Sequence, residues 1–157
     1  MATIRPFNTY GPRQSARAVI PTIISQLAAG KKQIKLGALD PVRDLTYAQD
    51  TAAAFMAIAQ CPDSSGEVIN VGNGQGISIG DLAQLIIELM NADAEITCDT
   101  QRVRPEKSEV QRLICSAEKA RSLVNWQPEY SLRQGLANTI EYIEKNQNLY
   151  KNNIYNV

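Results

Sequence analysis

The chain has 157 residues, the size of one ordinary domain, and a chain of this length buries about 70% of the surface that its unfolded form exposes. Hydrophobic residues make up 44% and charged residues 20%, a composition typical of folded globular proteins. Sixteen basic residues balance sixteen acidic ones. The charge therefore gives no reason to expect binding to nucleic acid or to a membrane surface.

The sequence contains no histidine, which excludes Ser-His-Asp and Cys-His catalysis and every metal site that uses imidazole. Its three cysteines, Cys61, Cys98 and Cys115, are too far apart for a thiolate zinc site, and their odd number argues against a disulfide framework. The apolar stretches are too short to span a bilayer, and the N-terminus lacks the pattern of a signal peptide. These features predict a cytoplasmic protein.

Strand-like and helix-like apolar spacings alternate along the chain, which predicts an α/β fold. A corner is expected at Trp126 and Pro128, and residues 1–145 are predicted to form the domain, followed by a frayed polar tail over 146–157. In chain order we expect a strand over 2–7, a helix within 15–29 that begins at or just before Pro21, strands over 33–36 and 44–47, a helix over 51–60 capped by Asp50, a strand over 67–71, a helix capped by Ser78, a strand over 96–98, a helix from a Ser116 cap to about 124, and a last helix that Ser131 starts.

A cluster of glycines, Gly72, Gly74 and Gly76, follows a predicted strand and precedes a helix, as the phosphate-binding loop of dinucleotide-binding proteins does. That loop needs a third glycine where this sequence has Ile77, and three further residues intervene before the helix. We therefore interpret the cluster as a tight, flexible turn.

Acidic and basic side chains also concentrate near predicted strand ends. Three of the acids, Asp40, Asp44 and Asp50, are expected to be solvated or helix-capping carboxylates. The guanidinium fork of arginine suits phosphate, and in a neutral protein loop arginines fit an anionic small ligand. Spacing alone leaves that interpretation and simple surface solubility equally open for Arg13, Arg17, Arg43, Arg102, Arg104, Lys107 and Arg112.

Five segments, in order, resemble motifs of a known family, the extended short-chain dehydrogenases that act on nucleotide sugars. These segments are Arg-Pro-Phe-Asn-Thr-Tyr-Gly-Pro-Arg over 5–13, an Arg-Asp-x-x-Tyr-x-x-Asp signature over 43–50, Glu-Val-Ile-Asn-Val-Gly over 67–72, an arginine-proline loop over 104–110 and Trp-Gln-Pro over 126–128. The resemblance is in particular to nucleotide-sugar 4,6-dehydratases, including the UDP-N-acetylglucosamine type.

The resemblance covers only the C-terminal, substrate-binding half of such an enzyme. The family's N-terminal half carries Gly-x-x-Gly-x-x-Gly for NAD and a catalytic Tyr-x-x-x-Lys pair, and neither spacing occurs in this sequence. The resemblance thus implies an α/β fold that is the C-terminal part of a Rossmann-like extended short-chain dehydrogenase and lacks the dinucleotide-binding core. NAD is expected in the intact family enzyme, and we expect this chain alone to bind none and to supply no catalytic residue.

The resemblance also implies roles for individual positions. Thr9 falls beside the nicotinamide end of the cofactor. The expected substrate contacts are Asn8 on the sugar or its phosphates, Val19 at the diphosphate, Leu36 at the base, Arg43 and Arg104 on the ribose and diphosphate, and Asn70 at the base side or in a structural role.

These expectations lead to one main functional hypothesis and two alternatives. The main hypothesis is a UDP- or dTDP-sugar-binding portion of an NAD-dependent sugar 4,6-dehydratase or epimerase, inactive as this chain alone and present as an excised portion, a split-gene product or a remnant. The first alternative is a stand-alone module without turnover that binds or forms homo-oligomers, because the strand over 2–7 would have an unpaired edge. The second alternative is a split half that complements a separate N-terminal, NAD-binding chain.

Overall fold

The computed structural model describes residues 1–99 and 110–150. Strands and helices alternate along these residues, which confirms the α/β class. In order they are β1 (Thr3–Pro6), β2 (Thr9–Tyr10), α1 (Val19–Ala28), β3 (Gln33–Leu36), β4 (Val42–Asp44), β5 (Thr46–Tyr47), α2 (Ala48–Gln60), β6 (Val68–Val71), β7 (Gly76–Ser78), α3 (Ile79–Leu89), β8 (Glu95–Cys98), β9 (Arg112–Leu113), α4 (Glu118–Val124) and α5 (Leu132–Lys145). Within the described ranges, every helix is too short or too polar to cross a membrane.

The chain divides into two compact units, each assembled from separate stretches. Unit 1 consists of Met1–Tyr10, Val42–Ile77 and Arg112–Gly135. Unit 2 consists of Gly11–Pro41 and the described residues of Ser78–Gln111 and Leu136–Val157. The expectation of one domain over residues 1–145 stays a prediction. Within the expected polar tail, residues 147–149 form a turn of 3-10 helix, and Tyr150 is 7% exposed.

The core of unit 1 is built on a parallel pair of strands, β1 and β6. Ile4 lies opposite Ile69 and Pro6 opposite Val71, so these side chains share one face of the pair. Ile69 and Val71 are fully buried in a cluster that also contains Ala54, Ile58, Ala120 and Trp126 from α2, α4 and the segment after α4. Each such aliphatic side chain contributes about 1.5–3 kcal/mol by leaving water.

The opposite face of the same strand pair is open. Thr3, Arg5 and Val68 point away from the core cluster and are exposed, Val68 by 42%. The backbone N–H groups of Thr3 and Phe7 donate to the β6 side. Because N–H directions alternate along a strand, that of Ile4 faces the other edge of β1. Within the described part of the chain, unit 1 therefore presents exposed side chains on one face of this pair and an edge of β1 that no other strand pairs with.

Unit 2 is held together by amphipathic helices on a second parallel pair, β3 with β8. Helix α1 packs against α3 and β3 through apolar residues at helical spacing. It begins at Val19 with Pro21 in its first turn, as the sequence predicts, because that position needs no N–H bond within the helix. Its buried apolar side chains are Ile20, Pro21, Ile23, Ile24 and Leu27.

Two predicted helix caps are confirmed. The Ser78 hydroxyl oxygen accepts from the Asp81 N–H at 3.0 Å, at the start of α3. Ser131 and Gln134 form a reciprocal capping box at the start of α5, because each side chain bonds the other residue's N–H.

Two other predicted caps are wrong. Helix α2 begins at Ala48, which puts Asp50 inside its first turn with its carboxylate engaged elsewhere. Helix α4 begins after Ala117, which provides no side-chain cap, so Ser116 lies outside it. The single strand expected over 44–47 is two short strands, β4 and β5.

Candidate functional site

A buried carboxylate joins three segments of unit 1. One oxygen of Asp44 accepts the backbone N–H of Asn73 at 2.9 Å, and the other accepts those of Gly74 at 2.8 Å and Cys115 at 3.0 Å. The Asp44 side chain is 0% exposed. The expectation of a solvated or capping carboxylate is therefore wrong at this position, because three backbone donors replace water around the charge.

A second buried carboxylate holds the corner that follows α4. Asp50 is 3% exposed, and its two oxygens accept the N–H groups of Glu129 at 2.9 Å and Tyr130 at 3.3 Å. Its backbone carbonyl accepts the indole N–H of Trp126 at 3.1 Å. The prediction of a core corner at Trp126 and Pro128 is confirmed, and Asp50 proves to be its anchor rather than a cap.

Three tyrosine rings pack against one another beside this corner, one pair edge-on and the other tilted. The ring centroids of Tyr10 and Tyr47 are 5.7 Å apart, and those of Tyr47 and Tyr130 are 4.8 Å apart. The Tyr10 hydroxyl donates to the carbonyl of Leu132. Burial, followed by the neighbouring Tyr47 and Asp50, raises the pKa of Tyr10 above its usual range. The phenol thus stays protonated at neutral pH and is a structural donor rather than a general base.

The glycine-rich loop does not fit a dinucleotide. A phosphate-binding loop offers its backbone N–H groups to the pyrophosphate. Here the N–H groups of Asn73 and Gly74 already donate to the Asp44 carboxylate. Gly74 has φ +80°, which favours glycine, and a Cβ at Gly72 would clash with Cys115. The interpretation as a tight turn is confirmed, although the turn leads into a strand, β7, that the sequence did not predict.

The thiol of Cys115 is unsuited to nucleophilic or metal chemistry. Its side chain is 5% exposed. Burial and the nearby Asp44 charge raise its pKa to about 11, against a smaller lowering by Arg121. The neutral thiol therefore dominates at physiological pH. Within the described residues, no three Cys, Asp or Glu side chains come together as a group able to hold a metal ion.

A cavity of about 440 Å³ opens between the two segments that these aspartates anchor. One wall is the loop from Asn73 to Ile77, which Asp44 holds, and the other is the corner from Pro128 to Leu132, which Asp50 holds. Leu45, between the two aspartates in sequence, also lines the cavity. The volume lies within the range of small-ligand sites.

Four of the positions expected to bind substrate or cofactor lie in unit 1. The Asn8 side-chain amide donates to the backbone carbonyl of Asp44 at 3.0 Å. The Thr9 hydroxyl bonds the Thr51 hydroxyl at 3.0 Å. Arg43 lies on β4 next to Asp44, half-buried, and Asn70 lies opposite Arg5 on the open face of the β1–β6 pair.

The other expected positions are placed elsewhere. Val19 is the first residue of α1 and Leu36 the last of β3, both in unit 2, and Leu36 is 3% exposed. Arg104 lies outside the described residues. The structure therefore places Asn8 against the backbone of Asp44, the neighbour of Arg43 in sequence, and none of the expected positions within the described residues lines the cavity. Their roles stay predictions.

The chain shares its family with sugar-nucleotide enzymes. Residues 1–139 match the family described as GDP-mannose 4,6 dehydratase. The human dTDP-D-glucose 4,6-dehydratase is 30% identical over 151 residues, an alignment that covers 94% of this chain and 43% of the human protein.

Solved structures agree with this assignment. The UDP-glucose 4-epimerase of Thermotoga maritima, solved with UDP-glucose, superposes with a TM-score of 0.81 at 30% identity, covering 92% of this chain and 46% of the epimerase. The dTDP-glucose 4,6-dehydratase of Bacillus anthracis, solved with NAD, superposes with a TM-score of 0.80 at 28% identity. The superposition covers 94% of this chain and 45% of the dehydratase. The chain thus spans less than half the length of these relatives, and it belongs to the GDP-mannose 4,6 dehydratase family of extended short-chain dehydrogenases.

Proposed function

We propose that this chain is the C-terminal, nucleotide-sugar-binding half of an NAD-dependent sugar 4,6-dehydratase or epimerase, of the UDP-N-acetylglucosamine type, and that it is inactive alone. One observation carries the proposal: nearly the whole chain aligns with less than half of each relative. The sequence also lacks the Gly-x-x-Gly-x-x-Gly and Tyr-x-x-x-Lys spacings. The relatives' complexes with UDP-glucose and NAD support the ligand classes.

In this proposal Arg43 and Arg104 hold the ribose and diphosphate, and Asn8 contacts the sugar or its phosphates. The hydrogen bonds around Asp44 support a fixed position for the backbone of Arg43. Arg43 lies on β4, which pairs with β9, while the Asp44 carboxylate bonds the glycine-rich loop. Asn8 is held against the carbonyl of Asp44. The Arg43 guanidinium itself donates to the carbonyl of Val42 at 3.0 Å, and a guanidinium held in this way binds a diphosphate with less loss of side-chain entropy.

Turnover needs groups that this chain does not supply. In the intact family enzyme a bound NAD would supply hydride transfer, whereas the glycine-rich loop of this chain does not fit it and the sequence lacks the tyrosine-lysine pair. The residues of this chain would bind and orient the sugar nucleotide. Binding without the reacting groups lowers no barrier, so the expected property is affinity without catalysis.

Calorimetric titration with UDP-N-acetylglucosamine, UDP and dTDP tests the binding function. We expect saturable binding that Arg43→Ala and Arg104→Ala each weaken about tenfold or more, because each removes a charged hydrogen bond. Arg133→Ala, an exposed arginine on α5, is the matched control and should bind as the unaltered chain does. A folded chain that binds none of the three nucleotides contradicts the proposal.

The open face of unit 1 favours two alternatives, a split half that joins a separate NAD-binding chain and a stand-alone module that forms homo-oligomers. Parallel sheets are normally covered on both faces, yet Thr3, Arg5 and Val68 are exposed on β1 and β6. Helix α2 also exposes Phe55 by 43% and Met56 by 65%. An unpaired strand edge and exposed apolar side chains are each suited to contact with another chain.

Light scattering on the purified chain separates these alternatives from an isolated binding domain. Pairing through the edge of β1 predicts a discrete oligomer, or a complex once an NAD-binding chain is added. Ile4→Pro should abolish both the oligomer and the complex, because it removes the backbone N–H that faces the open edge of β1. Thr3→Pro, which removes an N–H that donates to the β6 side, is the control for general damage to β1. A chain that stays monomeric with such a partner present contradicts both alternatives.

A further inference from the structure

The cavity of unit 1 has a rigid frame. Its two walls are fixed by the carboxylates of Asp44 and Asp50, which are 0% and 3% exposed and together accept five backbone N–H bonds. Buried charged hydrogen bonds of this kind are stronger than neutral ones. A ligand entering the cavity would thus meet walls that need little ordering, which favours binding by small molecules.

The polar groups of the cavity suit hydroxyls. Asn73 and Gln75 line one wall, and each amide offers both a donor and an acceptor. Glu129 lines the other wall and offers an acceptor. Among the described residues, these three side chains make no hydrogen bond. A hydroxyl is both donor and acceptor, so a ring that carries several of them matches this mixed set.

The apolar part of the cavity suits the face of a ring. Leu45, Ile77 and Pro128 are lining residues, and Tyr130 adds an aromatic side chain braced by its contact with Tyr47. Pockets with such apolar lining and a few convergent polar groups are typical sites for small molecules. The C–H groups of a saturated ring can lie on these surfaces while its hydroxyls reach the amides.

The described part of the lining offers no positive charge to hold a phosphate. Among the described residues, Glu129 is the one ionisable lining group other than the Tyr130 phenol, and no lysine or arginine lines the cavity. Arg121 lies beside Gly74 but is not a lining residue. We propose that this cavity binds a neutral, hydroxyl-rich ring of monosaccharide size, and that it is separate from the positions Asn8 and Arg43 that we assign to the nucleotide sugar.

Amide NMR of the ¹⁵N-labelled chain tests this assignment with methyl glucoside, glucose 6-phosphate and UDP as probes. We expect methyl glucoside to shift the signals of Gly74, Gly76 and Tyr130 in a saturable way. Asn73→Ala and Gln75→Ala should each weaken this binding about fivefold, the effect of one lost hydrogen bond. Gln60→Ala, an exposed glutamine at the end of α2, is the matched control and should change nothing.

Charge and competition supply two further readouts. Glucose 6-phosphate should bind more weakly than methyl glucoside, because its phosphate is repelled by the Glu129 carboxylate. Glu129→Gln should reduce this difference in affinity. UDP should not displace the glucoside. The assignment is overturned if the shifts do not saturate, if both amide variants bind like the control, or if UDP competes. An absence of UDP binding would instead count against the proposed nucleotide-sugar function and leave the cavity result standing.

Discussion

Gly135→Ala is expected to destabilise the chain by about 2–3 kcal/mol, although alanine is the better helix former. Gly135 lies in α5, where a Cβ would clash with the hydroxyl of Tyr10 and lie 2.9 Å from the ring of Tyr47. Both tyrosines are buried, and Tyr10 is fixed by its bond to Leu132. Relief of the clash must therefore displace the packed tyrosine rings or break that hydrogen bond.

The matched control is Gly80→Ala in α3. A Cβ there meets nothing closer than 3.5 Å, so the substitution should be neutral or stabilising by up to about 1 kcal/mol through helix propensity. Urea unfolding followed by far-UV circular dichroism measures both variants. Helix propensity favours alanine at both sites. If Gly135→Ala destabilises the chain and Gly80→Ala does not, the difference is therefore due to the steric clash at Gly135. Equal effects would contradict the close packing of Tyr10 on Gly135.

Asp44→Asn should lower the free energy of unfolding by about 3 kcal/mol, even though asparagine has the same shape as aspartate. Both oxygens of the carboxylate accept backbone N–H bonds, from Asn73, Gly74 and Cys115. An amide has only one oxygen, and its NH₂ group would face a backbone N–H that needs an acceptor. Each buried N–H left without an acceptor costs about 1–3 kcal/mol. The variant should also lose ordered signals from the glycine-rich loop, whose N–H groups depend on this charge.

Asp40→Asn is the control for that substitution. Asp40 is exposed, so its replacement should change the free energy of unfolding by less than about 0.5 kcal/mol. The two variants, compared by urea unfolding at pH 7, differ only in whether the carboxylate has buried backbone partners. If they were equally stable, Asp44 could not be the group that holds β4, the loop and the Cys115 segment together.

Apolar spacing predicted most of the helices and strands because burial follows it directly. Helix α1 and strand β6 have their buried apolar residues at periods of 3.6 and 2, and both form as expected. Strands β7 and β9 have two or three residues each and were missed. Their formation depends on pairing with β4, a tertiary contact with no local signal in the sequence.

The two aspartates show where sequence reasoning fails at the site. Asp50 precedes an alanine-rich helical stretch and Asp44 begins a predicted strand, so both fitted solvated or capping roles. Their partners, however, lie at least 29 residues away in sequence, and only the folded chain brings these together. The Arg-Asp-x-x-Tyr-x-x-Asp signature contained both residues, and its fixed spacing was the one signal that could have singled them out.

Trp126 gives the molecule a reporter confined to one of its units. It is the sole tryptophan of the chain, it is 6% exposed, and its indole N–H bonds the carbonyl of Asp50. Selective excitation of tryptophan therefore follows the environment of unit 1 alone, whereas circular dichroism sums the helices of both units. Coincidence of the two signals during denaturation would mean that the units lose structure in a single cooperative step, and divergence would give each its own transition.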